Sequence, residues 1–111
     1  MATKKNEKNR PKKGRPVKIR LIRREPQTRQ FSPRGRVGRP GYKEIHFEEF
    51  EAIRMIDYMG LGQAEASKYM GISQQTFSRV LRAGRKRLAE ALINGEIIKV
   101  QGGVFKVEKK A

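Results

Sequence analysis

Met70-Gly71-Ile72-Ser73 separates two segments of helical apolar period, and this arrangement limits the fold more than any other stretch of the chain. Gly71 stands where the chain must reverse, because glycine takes a positive φ at no steric cost. Met70 closes the first segment, Ile72 plugs the corner, and Ser73 is an N-cap whose hydroxyl can accept from an orphan N–H. Ahead of the corner, Ala64, Ala66 and Ser67 are small enough for a second helix to approach closely. Behind it, Phe77, Val80, Leu81, Gly84, Leu88, Ala91 and Leu92 form one stripe at helical period. The stretch Gly62 to Leu81 therefore predicts two helices joined by a tight turn, the pattern of a helix-turn-helix.

The opposite face of the second helix carries Gln74, Gln75, Ser78, Arg79, Arg82, Arg85 and Lys86. Five cations lie between Arg79 and Arg87, and no acid lies between Glu65 and Glu90. A merely solvated helix interleaves both signs, so the plain alternative of a solvated helical hairpin fits less well. N-terminal residues of a recognition helix reach base edges; glutamine suits adenine and arginine suits guanine. Gln74, Gln75, Ser78 and Arg79 are the candidate base readers. Arg82, Arg85, Lys86 and Arg87 lie further along and are candidates for phosphate contact, with Arg87 nearest the apolar boundary.

The net charge of +16 over 111 residues is unevenly placed. Residues 1–43 hold sixteen Lys and Arg against Glu7 and Glu25, a net of +14, whereas residues 44–111 carry +2. A nearly neutral domain behind a basic arm expects a polyanionic partner, most simply nucleic acid. No amphipathic helix accompanies the arm to suggest a membrane surface, and no apolar run is long enough to span one. The chain lacks cysteine and a leader-like apolar stretch, so the expectation is a cytoplasmic, nucleoid-associated protein. No nucleophile–base pair, metal-spaced cluster or phosphate-cradling loop is present, so no enzyme, metal, cofactor or small-molecule ligand is expected.

Residues 1–15 have almost no apolar content and are expected to be a disordered basic tail. Residues 16–43 are expected to be an extended basic arm, with a short strand over 17–22 and a proline- and glycine-rich loop over 25–42. Gly14-Arg15-Pro16 and Gly38-Arg39-Pro40 resemble the core of an AT-hook, which lays arginine in a narrow minor groove. Arg15, Arg34, Arg36 and Arg39 are the candidate arm contacts.

A first helix is expected from about Phe47 to Met59, with Phe50, Ile53 and Ile56 on its stripe, and Gly60 and Gly62 ending it. Glu48, Glu49 and Glu51 near its start suit the helix dipole better than a metal site, and His46 stands at the cap. Gly84, on the apolar stripe, points to a close contact with the first or second helix. Asn94-Gly95 should cap the long helix. Residues 96–107 read as a β-hairpin about Gly102-Gly103, and 108–111 as a tail. A lone hairpin is marginal, so it should pack on the helices, pair with the 17–22 strand, or join a second copy in a homodimer.

These motifs together resemble a small prokaryotic family catalogued as domain of unknown function 134. The residues that carry the likeness are Phe31-Ser32-Pro33-Arg34-Gly35, Glu49 to Asp57, Gly60-Leu61-Gly62-Gln63, Met70 to Ser73, Thr76-Phe77, Arg79, Ala91 to Gly95 and Gln101-Gly102-Gly103. The resemblance covers roughly residues 16–107. It implies a mainly α fold: a three-helix helix-turn-helix domain over 44–95, similar to sigma-factor region 4 and winged-helix-like proteins, with a presumed regulatory role. Where the family often has a cysteine this chain has Leu21 or Ile22, and Arg82 stands where an acid is common. The leading expectation is sequence-selective binding of double-stranded DNA by a transcriptional regulator. An RNA-binding or ribosome-associated protein, and a module contacting the transcription machinery, are the alternatives.

Overall fold

The computed structural model describes residues 18–35 and 38–108. The chain forms strands β1 (Arg20–Ile22), β2 (Gln30–Phe31) and β3 (Tyr42–Ile45), then helix α1 (Phe47–Ile53), which continues into a π-helical segment (Arg54–Tyr58). Helices α2 (Gln63–Met70) and α3 (Gln74–Asn94) come next, then strands β4 (Ile97–Val100) and β5 (Phe105–Val107). The architecture is mainly α with small strands. The disordered tail expected over 1–15 lies outside the described residues.

The corner between α2 and α3 forms as its residues require. Gly71 caps α2 at φ 68°, a left-handed conformation that a side chain would strain. The Ser73 hydroxyl accepts from the Thr76 N–H at 3.0 Å and opens α3. Gly95 takes φ 64° at the other end of α3. The apolar stripe of α3 buries Phe77, Val80 and Leu81 against Ala52, Met55, Ala66, Met70 and Ile72. Gly84 allows the close crossing expected of it: a Cβ there would lie 2.8 Å from the Glu49 Cβ and 3.3 Å from the Ile53 Cδ1. The stripe ends at Ala91, however, since Leu92 is 68% exposed beyond the helices that cover the rest.

The single helix expected over 47–59 changes pitch at Arg54. Met59 N–H donates to the Arg54 carbonyl at 2.8 Å, a five-residue step. The added residue rotates the last turn, leaving Met55 in the core while Tyr58 and Met59 point outward.

The expected C-terminal hairpin does not form. β4 is the centre of a three-stranded sheet, antiparallel to β2 and parallel to β3. Both its edges are taken, so the chain crosses the start of α1 at Gly102, whose carbonyl accepts from Phe47 N–H at 3.1 Å. β5 then pairs in parallel with β1, matching Arg20 to Phe105, Leu21 to Lys106 and Ile22 to Val107. Phe105 packs on Phe47 with ring centroids 4.5 Å apart, over a second small core that includes Ile22 and Val100.

The described part of residues 16–43 is accordingly not a separate arm. The expected strand over 17–22 is observed at Arg20–Ile22, and the loop expected over 25–42 contains β2 and the start of β3. Ile22 and Ile45 are among the most buried side chains of the molecule. With both C-terminal strands paired inside one chain, the hairpin no longer supplies a reason for a homodimer.

Candidate nucleic-acid interface

The first two turns of α3 present a polar, acid-free surface. Gln74, Gln75, Arg79 and Arg82 are exposed and Ser78 is half-buried beside them. They face outward because Phe77, Val80 and Leu81 of the same turns are held in the core. No acid stands in the first turn of α3.

Ion pairing divides the cations further along. The Arg85 guanidinium donates to both carboxylate oxygens of Asp57, at 3.1 and 2.7 Å. Those hydrogen bonds hold the Asp57 carboxyl below its usual range and raise Arg85. Lys86 pairs with Glu90 at 3.3 Å. Arg87 donates to Glu49 Oε1 at 2.6 Å. Glu49 is 5% exposed and also accepts from the His46 N–H, so Arg87 ties α3 to the start of α1. Arg79 and Arg82 have no acidic partner among the described residues. Of the four residues expected to contact phosphate, Arg82 is therefore unpaired, Arg85 and Lys86 sit in exposed pairs, and Arg87 is a structural clamp.

Asp57 thus covers a cation of the candidate face. Because its folded-state carboxyl titrates below the usual range, the pair's small stabilisation is present above that range and is lost as pH falls through the lowered value. Asp57→Asn is expected to cost under about 1 kcal/mol, as for exposed pairs generally. If this face binds duplex DNA, Asp57→Asn should free Arg85 and tighten that binding at low salt; a weaker complex, read by fluorescence anisotropy, would remove Arg85 from the face.

Glu48 and Glu49 stand in the first turn of α1, where the helix dipole favours them, and with Glu51 they also act as buried acceptors. Glu48, Glu49 and Glu51 are 6%, 5% and 1% exposed. Glu51 accepts from the Arg54 side chain at 2.9 and 3.0 Å and from Arg23 N–H at 2.8 Å, tying β1 to α1. Glu48 accepts from Val104 N–H at 3.2 Å and holds the start of β5. Their burial had no signal in a run of glutamates. Among the described residues, no group of three His, Asp or Glu is placed to hold a metal ion, and no helix is long and apolar enough to cross a membrane.

The described candidate arm residues, Arg34 and Arg39, are not gathered at the α3 N-terminus. Arg15 and Arg36 lie outside the described residues. Arg34 and Arg39 are exposed on a loop whose two feet stand at the far end of α3. Ser32 and Pro33 line a cleft with Ala91 and Leu92, and the Gly41 carbonyl accepts from Ile97 N–H at 2.8 Å. Arg79 and Ala91 are twelve residues apart, about 18 Å along the helix axis. Sequence reading passed over Lys18 and Lys106, both exposed and both without an acidic partner among the described residues.

A model of the family described as "Protein of unknown function DUF134" matches residues 9–108. A "UPF0251 protein" from Methanococcus maripaludis strain C7 is 42% identical over 99 residues, covering 88% of this chain and 76% of that relative. Another "UPF0251 protein", from Methanococcus vannielii, is 38% identical over 102 residues, with coverage of 88% and 76%. One from Dehalococcoides mccartyi strain BAV1 is 37% identical over 97 residues, with coverage of 86% and 83%. No solved structure matches the chain.

Proposed function

We propose that this chain, which belongs to the DUF134 family of proteins of unknown function, binds double-stranded DNA and regulates transcription. In this reading α2 and α3 are a helix-turn-helix, and the N-terminal turns of α3 enter the major groove. The observation that carries it is the acid-free exposed face of Gln74, Gln75, Ser78, Arg79 and Arg82, beside cations that the fold has neutralised further along. Gln74, Gln75, Ser78 and Arg79 read base edges, and Arg82 contacts phosphate. Arg85 joins them where DNA outcompetes Asp57 for its guanidinium.

Most of the electrostatic affinity comes from the basic N-terminal residues. Residues 1–17 hold seven Lys and Arg against Glu7. A protein engaging about 6–10 phosphates loses roughly 10³–10⁵-fold in affinity between about 50 and 200 mM salt. Truncation should stop at residue 17, because residues 20–45 supply strands and core side chains.

Selection of bound sites from random duplex DNA, with RNA as competitor, tests the reading. The full chain should enrich a short site, and Arg79→Ala should relax preference at one position by about 1–3 kcal/mol. Removal of residues 1–17 should flatten the salt slope, by up to about 6 if every cation engages a phosphate. Equal competition by RNA with no enrichment overturns the proposal in favour of an RNA-binding protein. Light scattering with and without the selected DNA distinguishes one copy per site from a homodimer.

A further inference from the structure

The outward face of α3 changes character along its length. As far as Lys86 it carries Gln75, Arg79, Arg82 and Arg85, all exposed. Beyond Lys86 it carries Ala89, Leu92 and Ile93, which are spaced i, i+3 and i+4 and so are neighbours on the helix surface. Leu92 and Ile93 follow Arg85 and Lys86 by seven residues, about two turns, and therefore continue the same face. They are 68% and 83% exposed. Leu92 also borders a cleft with Phe31, Ser32, Pro33 and Ile98. Phe31 is itself half exposed, so the apolar surface continues from the helix onto β2.

DNA has nothing to hold on this part of the helix, because no cation lies between Ala89 and Asn94. The residues outside the described part of the chain offer Met1, Ala2, Val17, Val37 and Ala111 as apolar side chains besides two prolines, too few to bury it. We infer that the face is a homodimer interface, on which the Ala89–Leu92–Ile93 turns of two copies pack together about a two-fold axis. The face is self-complementary: Leu92 projects beside a cleft of its own copy, so a two-fold axis offers each Leu92 the cleft of the other. Ala89 is small enough for the two helices to approach closely. The acids on the face do not oppose this, since Glu90 is paired with Lys86 and Glu96 with Lys43, each at 3.3 Å. The interface lies on the face that carries the candidate base readers, further toward the C-terminus, so the dimer joins two reading surfaces. The consequence for DNA rests on the reading above: the bound site is a palindrome with one half read by each copy.

Light scattering of the full chain at concentrations up to about 1 mM should show the mass rising from 12.8 kDa toward twice that value. Each copy carries +16, so raising salt from about 50 to 200 mM should strengthen the association by screening repulsion, the opposite of its effect on DNA binding. Leu92→Lys and Ile93→Lys replace exposed side chains, so thermal unfolding at low concentration should match the parent. Each should raise the dimer Kd by about tenfold or more. The chain has no cysteine, so Ile93→Cys places one thiol on each copy; a short bismaleimide should link the copies, and adding Leu92→Lys should abolish the link. Site selection should return a palindrome for the parent, and Leu92→Lys should keep the preference within each half while losing cooperativity between halves. A mass of 12.8 kDa at every concentration, free and on the selected duplex, overturns the inference, leaves DNA binding standing and leaves the face to a partner of another kind. Dimers that persist unchanged when Leu92→Lys and Ile93→Lys are combined overturn the assignment of the face. A parent that dimerises through this face but binds no duplex overturns the DNA-binding reading alone.

Discussion

Arg54→Met should lower the unfolding free energy by about 3–5 kcal/mol, the usual cost of removing one partner from a buried ion pair. Glu51 is 1% exposed and would lose its counterion. At present Arg54 meets it with two hydrogen bonds, and this contact raises the guanidinium further. The remaining donor to Glu51, Arg23 N–H at 2.8 Å, belongs to the turn that leaves β1. The damage should therefore reach the strand pair as well as α1. Glu51→Gln with Arg54→Met removes the stranded charge and keeps an acceptor for Arg23 N–H, so the double variant should recover much of the loss. Urea unfolding of the two variants decides the matter. If the double variant is no more stable than Arg54→Met, the penalty is not one of uncompensated charge.

Phe77→Ala should cost about 3–5 kcal/mol, since it removes a fully buried ring and leaves a cavity. Phe77 packs where all three helices meet, with Ala52, Met55, Met70 and Leu81 in the same cluster. Domains of this size are stable by only about 5–15 kcal/mol, and each kcal/mol shifts the melting temperature by about 4–8 °C. Phe77→Leu keeps most of the volume and should lose much less. The same side chain holds the exposed face of α3 outward, so Phe77→Leu provides a folded protein in which α3 packing alone is loosened. A loss below about 1 kcal/mol for Phe77→Ala would mean that α3 is not anchored at this point.

The corner and its two helices were legible because their signals are local. Gly71 at φ 68°, the Ser73 cap and the Phe77–Val80–Leu81 stripe each depend on residues within a few positions of one another. Gly84 was legible for the same reason, as a small residue at helical spacing on an apolar stripe. The strands were misread because their partners are remote. Residues 97–100 and 105–107 have the composition of a hairpin, with Gly102-Gly103 between them. Yet both edges of Ile97–Val100 are occupied by segments from before α1. Pairing with the 17–22 strand was one of three placements left open for this segment, and it is the one Phe105–Val107 takes; nothing within ten residues of Phe105 selects it.

The sequence by itself determined which helix is amphipathic, where the chain turns, and that the charge is concentrated before Glu44. Those properties arise from backbone sterics, helical period and composition, none of which needs a distant partner. Only the tertiary structure decided what each charge does. Arg85, Lys86 and Arg87 look alike along the helix, but Asp57, Glu90 and Glu49 separate them into exposed pairs and a half-buried clamp. The reason is physical: a charge is free or spent according to the groups within a few ångströms of it, and for Arg85 and Arg87 those groups come from distant parts of the chain.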